Sequence, residues 1–179
     1  MPKYVAFLRA INVGGHVVKM DQLRKLFEAM GFTNVETFIA SGNVIFDCKS
    51  KNAPSLERKI ESHLEKALGY KVATFLRTTA ELANIANYLP FAKSELEAEG
   101  NDLFVAFGAQ IPSAEGKRRL MELRTNAHDF HCNAREVYWL RRRLREGAEY
   151  SGPALEKSVG IPITVRNSTT VKKIVAKYS

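Results

Sequence analysis

Leu8-Arg9-Ala10-Ile11-Asn12-Val13-Gly14-Gly15 closes the first predicted strand and hands the chain to the first predicted helix. Upstream, Lys3 to Arg9 reads as a strand. Val5, Phe7 and Arg9 alternate with Tyr4, Ala6 and Leu8, and apolar residues on both faces mark an inner strand covered on at least one side. Downstream, Leu23, Leu26, Phe27 and Met30 share one face of a helix from about Met20 to Met30. A strand, a Gly-Gly turn and a helix N-terminus form an arrangement that suits an anion. Consecutive glycines permit positive φ, so neighbouring N–H groups can converge, and Lys19 lies close to the turn. The stretch is not a P-loop, because Gly14-Gly15-His16-Val17-Val18-Lys19-Met20 lacks the second glycine and the hydroxyl residue. The plainer reading is a glycine turn with no ligand.

From this opening the elements follow in order. Val35 to Ala40 and Asn43 to Asp47 read as strands joined at Ser41-Gly42, a tight hairpin signal. Pro54 opens a helix whose buried stripe is Leu56, Ile60, Leu64, Ala67 and Leu68, and Gly69 ends it. Lys71 to Arg77 is the fourth strand. The order β-α-β-β-α-β is that of a ferredoxin-like plait. Thr79 can cap a helix running to about Tyr88, Pro90 stops it, and the polar stretch from Lys93 to Asn101 reads as a linker. The pattern then recurs. Leu103 to Phe107 is a strand, and Ser113 caps a helix to Thr125. Asp129 to Cys132 and Glu136 to Leu140 form a hairpin, Gly152 to Val159 is a helix, and Ile163 to Arg166 is the last strand. A C-terminal helix, about Thr169 to Tyr178, is capped by Ser168 or Thr169. The expected fold is α+β, with two tandem ferredoxin-like subdomains plus a C-terminal helix. Residues 1–78 form the first, 79–101 the linking helix and linker, and 102–179 the second.

Composition bounds the function. With 179 residues and 45% hydrophobic side chains, the chain can bury a core and is no candidate for disorder. No apolar run is long enough for a membrane span. The N-terminus reads as a charged strand rather than a signal peptide, so the cytoplasm is the default expectation. Cys48 and Cys132 imply no disulfide framework. Lys and Arg number 27 against 19 Asp and Glu, a formal net charge of +8 that favours acidic partners, nucleic acid among them. Part of that excess is clustered at Arg141, Arg142, Arg143 and Arg145.

The plait geometry brings these features together. Its first and third strands are antiparallel neighbours, so the loop after the first strand and the hairpin before the third share an edge. Arg9, Asn12, Gly14, Gly15 and Lys19 then stand beside Ser41, Gly42 and Asn43. Arginine offers a forked donor to carboxylate or phosphate, and asparagine offers donor and acceptor together. In the second half, Arg141, Arg142 and Arg143 should lie beside Arg166 and Asn167. The structural alternatives are turn asparagines bonded to the backbone, an ion-paired Arg9 and a solvated arginine turn.

The opening stretch resembles the L-R-G-I-N-V-G-G start of the bacterial "domain of unknown function 1697" family. Ser41-Gly42-Asn43-Val44-Ile45-Phe46 is similar to that family's S-G-N-V-x-F hairpin. Thr164-Val165-Arg166-Asn167 with Thr170-Val171 resembles its T-x-R-N-x-x-T-V ending. The resemblance implies two ferredoxin-like subdomains and no established activity. The chain departs from the family pattern at Ala10, where Gly is usual, and at Ser168, where Trp is common.

Other chemistry is sparse. His128 and His131 point to opposite faces of a strand, with no second Cys/His pair, so no metal site is expected. Paired carboxylates, G-x-S-x-G and H-E-x-x-H are missing, and no cofactor motif is present. The reading is therefore a binding protein for a small anionic ligand, a nucleotide or phosphorylated metabolite, at the Arg9/Gly14/Asn43 edge. One alternative is RNA binding, with Tyr4 and Phe7 as stacking candidates. The sequence lacks the K/R-G-F/Y-G/A-F signature of such modules. A protein-interaction module without a ligand is the other alternative.

Overall fold

β1 (Lys3–Leu8) is the strand on which the first unit is assembled. It lies between β3 (Asn43–Asp47) and β4 (Thr74–Thr78), antiparallel to both, and β2 (Thr33–Thr37) extends the sheet beyond β3. The structure, a computed structural model, describes residues 1–9, 11, 12, 15–39, 42–143 and 152–179. The proposed Gly14 and Ser41 positions, together with Arg145, lie outside the described residues. Two compact units result, one of Met1–Leu82 with Tyr178–Ser179 and one of Ala83–Lys177.

In the first unit, α1 (Met20–Ala29) and α2 (Ala53–Leu68) cover one face of the sheet. Leu23 and Phe27 from α1 and Leu56, Ile60 and Leu64 from α2 meet Tyr4, Ala6, Leu8, Val44, Phe46 and Leu76. Phe32 stacks on Phe46 with ring centroids 4.3 Å apart. Antiparallel sheets commonly leave one face to water. Here the residues on the other face, Val5, Phe7, Ile45 and Phe75, are buried as well, which is why β1 is apolar at nearly every position.

The second unit repeats the order. β5 (Asp102–Gly108) lies between β7 (Glu136–Arg141) and β8 (Ile163–Asn167), with β6 (His128–Asn133) beside β7. α5 (Ala114–Glu122) and α6 (Gly152–Val159) supply Leu120, Leu155 and Val159 to a core with Ala106, Phe130, Val137 and Trp139. α3 (Thr79–Asn87) follows β4 and α7 (Ser168–Tyr178) follows β8, with α4 (Lys93–Glu97) between α3 and β5. No helix among the described residues is long and apolar enough to cross a membrane.

The two units share a backbone plan that their side chains barely betray. Leu8 N–H donates to Gly42 O at 2.8 Å, and Gly108 N–H donates to Arg135 O at 3.0 Å. Arg9 N–H donates to Ala73 O at 2.9 Å, and Ala109 N–H to Pro162 O at 3.3 Å. A helix glutamate receives the first N–H of each last strand, Glu61 from Thr74 and Glu156 from Ile163, both at 3.0 Å. Arg77 stands opposite Val5 as Arg166 stands opposite Val105. Both guanidinium groups are buried, and both donate to the carbonyl of the preceding residue.

Several expected boundaries move. β2 stops at Thr37 instead of Ala40, because the chain turns at Ile39, whose φ is +60°. β4 begins at Thr74 instead of Lys71, because its pairing with β1 starts only at Leu8 opposite Thr74. The cap of α3 is Thr78 rather than Thr79. Thr78 Oγ1 accepts from Glu81 N–H while Glu81 Oε2 accepts from Thr78 N–H, a reciprocal capping box. At α7 it is Asn167, one residue ahead of Ser168, whose Oδ1 accepts from Thr169 N–H at 2.9 Å. The expected linker contains α4, since Ala92 O accepts from the N–H groups of both Glu95 and Leu96.

Candidate functional site

The opening loop and the first hairpin do meet. Beyond the Leu8–Gly42 bond, a Cβ placed on Gly42 would stand 2.9 Å from Ile11 Cγ2, so glycine there permits a close approach of the two segments. Ile11, Asn12, Gly42 and Asn43 share one cleft with Val18, Met20, Leu23, Thr37 and Ile39.

That cleft holds only about 10 Å³, room for about one water molecule. Its polar residues serve the fold. Asn12 Oδ1 accepts from Val18 N–H at 2.7 Å and ties the loop to the approach of α1. Asn43 is 1% exposed, and its amide donates to Phe38 O at 3.0 Å across the hairpin. Gly15 has φ +84° with open space around it, and Lys19 is exposed at the N-cap position of α1 without a side-chain cap. Arg9 is half-buried at the end of β1. Tyr70 donates its hydroxyl to Ile11 O at 2.9 Å, and His16 stacks on its ring at 3.8 Å. Burial holds the Tyr70 phenol above its ordinary pKa, which keeps it a donor.

Two members of the arginine run of the second unit, Arg141 and Arg142, are engaged in ion pairs. Arg141 meets Asp102 at 2.7 Å and lies 5.0 Å over the Phe104 ring. Arg142 holds Glu95 through two bonds of 3.1 Å, approaches Asp129 at 3.5 Å, and keeps its proton more tightly because of the Glu95 carboxylate. Arg143 donates its backbone N–H to Asn101 Oδ1, and its side chain packs over Gly100. Arg166 is buried and bonded to Thr164 Oγ1 and Val165 O, and desolvation lowers it to about 10. Arg141, Arg142 and Arg166 are thus committed to groups of the protein itself, and Arg143 is the exposed one of the four. Tyr4 and Phe7 are buried too, which removes them as base-stacking platforms.

Asn167 is different. It stands opposite Phe104 where β8 ends, beside the start of β5, and borders a cleft of about 200 Å³. The polar wall comprises Asn101, Asp102, Asn167, Ser168, Thr169 and Lys172; Ala86, Leu89, Leu96 and Leu103 form the apolar wall, and Tyr88 contributes an aromatic ring. Arg141 already balances the Asp102 carboxylate, so the net charge of the lining comes from Lys172. The first turn of α7 adds the positive end of an eleven-residue helix. Tyr88 hydroxyl lies 2.7 Å from His131 Nε2, which fixes its ring. Sequence reasoning placed Asn167 at this end but missed Asp102, Asn101 and Tyr88. The available signal was antiparallel pairing, which sets the start of β5 beside the end of β8. Among the described residues, no group of three His, Cys, Asp or Glu side chains is placed to hold a metal ion.

Comparison with known proteins bears on the fold and the family. Residues 1–138 match the family model described as "Protein of unknown function (DUF1697)". The solved structure of conserved bacterial protein SP0830 from Streptococcus pneumoniae is similar, with a TM-score of 0.73 and 20% sequence identity. The alignment covers 98% of this chain and 97% of that one. No curated protein matches.

Proposed function

The chain belongs to the family of proteins of unknown function DUF1697, and we propose that it binds a small phosphorylated metabolite at the Asn167 end of the second unit. The cleft there carries the reading. It combines Lys172, the hydroxyls of Ser168 and Thr169, and a wall of leucines, while Asn101 and Asn167 shape the rim through their bonds to Glu95, Arg143 and Thr169. The polar side suits a phosphate or carboxylate, and the apolar side suits a short carbon body. Its volume of about 200 Å³ lies below the usual range for drug-sized ligands, which favours a metabolite over a nucleotide. Among the described residues, the cleft at the opening-loop edge serves this reading less well, at about 10 Å³ against 200 Å³. The order β-α-β-β-α-β and the strand arrangements β2-β3-β1-β4 and β6-β7-β5-β8 support reading each unit as a ferredoxin-like plait.

Calorimetric titration with inorganic phosphate and glycerol phosphate tests the proposal. Lys172→Ala should weaken binding by about tenfold, the worth of one charge-assisted hydrogen bond. Lys173→Ala, which removes the same charge from an exposed neighbouring position of α7, should leave it unchanged. Absence of heat with either compound, or equal losses in both variants, would refute it.

A further inference from the structure

Tyr88 brings an aromatic ring to the cleft at the Asn167 end, and that ring is braced from several directions. Its hydroxyl lies 2.7 Å from His131 Nε2 on β6, and its ring centroid stands 5.3 Å from that of Tyr138 on β7. The backbone beneath it is held as well. Tyr88 N–H donates to Asn84 O at 3.1 Å, and the Tyr138 hydroxyl donates to Ile85 O at 2.9 Å, which ties the end of α3 to the sheet. A ring fixed before binding loses little further freedom when a ligand lies against it. Leu89, the next residue, also lines the cleft and is 66% exposed, so apolar area beside the ring still faces water.

The walls of the cleft ask for different chemistry. Tyr88, Leu89 and Leu103 offer apolar contact, whereas Asn101 and Asp102 offer oxygens. Asn101 Oδ1 accepts from Arg143 N–H and Asp102 Oδ2 from Arg141. A carbonyl or carboxylate oxygen carries two lone pairs, so both residues can take a further donor. An ammonium group suits this lining poorly. The aromatic face attracts cations, but Asp102 is already answered by Arg141 at 2.7 Å and Lys172 repels a second cation. A plain alkyl body meets the apolar wall and leaves the oxygens without donors. A body with C–H groups on one side and hydroxyls at its edge meets both, and about 200 Å³ gives room for one small ring. On the premise that the cleft binds phosphate, we infer that its ligand is a monosaccharide phosphate. The phosphate meets Ser168, Thr169 and Lys172, the C–H face of the sugar lies on Tyr88, and Tyr88 determines specificity for the ring.

Titration calorimetry on the full chain with glucosyl phosphate, glycerol phosphate and propyl phosphate tests this. Glucosyl phosphate is non-reducing and forms no imine with Lys172. It should bind about tenfold more tightly than either open-chain phosphate, the worth of one aromatic contact. Tyr88→Leu keeps apolar bulk but removes the flat ring. It should erase that preference and leave glycerol phosphate binding unchanged, which shows the cleft intact. Tyr88→Phe keeps the ring against Tyr138 and gives up the bond to His131, so it should retain the preference to within about threefold. Glycerol phosphate binding as tightly as glucosyl phosphate overturns the sugar assignment and leaves the phosphate reading standing. So does propyl phosphate matching glucosyl phosphate, or a Tyr88→Leu loss that is equal for every ligand. Binding by none of the three overturns both.

Discussion

Single residues show where polar groups serve structure rather than ligand. Trp139 donates its indole N–H to His128 Nδ1 at 3.0 Å, which fixes the neutral His128 ring as the Nε2–H tautomer inside the core. That bond accounts for a histidine that sequence inspection could list only as a rejected metal ligand. Cys132 is half-buried, and burial outweighs nearby Lys117 to push its thiol above the ordinary value. At any pH near neutrality it therefore carries less thiolate than a free cysteine. In a Cys48→Ser chain, iodoacetamide should label Cys132 more slowly than the urea-unfolded chain at pH 8, with the rate climbing at higher pH than for an ordinary thiol. Labelling at the unfolded rate would contradict this. The ion pairs of Arg141 and Arg142 were invisible for another reason. Their partners Asp102 and Glu95 stand 39 and 47 positions away, and nothing local announces them.

Elements were legible wherever a local signal matched the tertiary demand. α6 carries Pro153 in its first turn and apolar Leu155 and Val159 on one side, and its predicted bounds coincide with the observed ones. Ser113 caps α5 as its position suggested, accepting from Gly116 N–H at 3.0 Å. β2 was misplaced because Phe38 and Ile39 read as strand residues, while the turn at Ile39 is imposed by the Phe38–Asn43 bonds. The packing of α5 on α6 likewise left no local trace. A Cβ on Gly116 would stand 2.3 Å from Val159 O, and Arg119 Nε donates to Ser158 O at 2.9 Å. Gly116→Ala must force these helices apart and should cost about 3 kcal/mol in urea unfolding, the upper range for overpacking. Gly31→Ala, where φ is +88° and the surrounding space is open, should cost about 1 kcal/mol. Equal losses at the two sites would show that the close approach of α5 and α6 has little energetic weight.

At the scale of the whole chain, a duplicated backbone plan carries two differently finished ends. The opening-loop edge has the glycines and asparagines that look like a phosphate cradle, yet Asn12 and Asn43 spend hydrogen bonds on Val18 and Phe38. The Asn167 end, read in the sequence as part of a basic patch, borders a cleft of about 200 Å³ where Asn101, Asp102 and Asn167 come from segments that only sheet pairing unites. The convergence of the two first-unit segments was readable from antiparallel pairing of the first and third strands; the packing of Ile11, Met20 and Ile39 around the described cleft was not, since no motif encodes it. Placement of the ligand is thus the claim on which the functional account turns. Titrating isotopically labelled protein with glycerol phosphate and following backbone amide shifts decides it. The account predicts the largest shifts at Asn101, Asn167, Thr169 and Lys172, while Asn12, Lys19 and Asn43 stay in place. Saturable shifts confined to Asn12, Lys19 and Asn43 would contradict it.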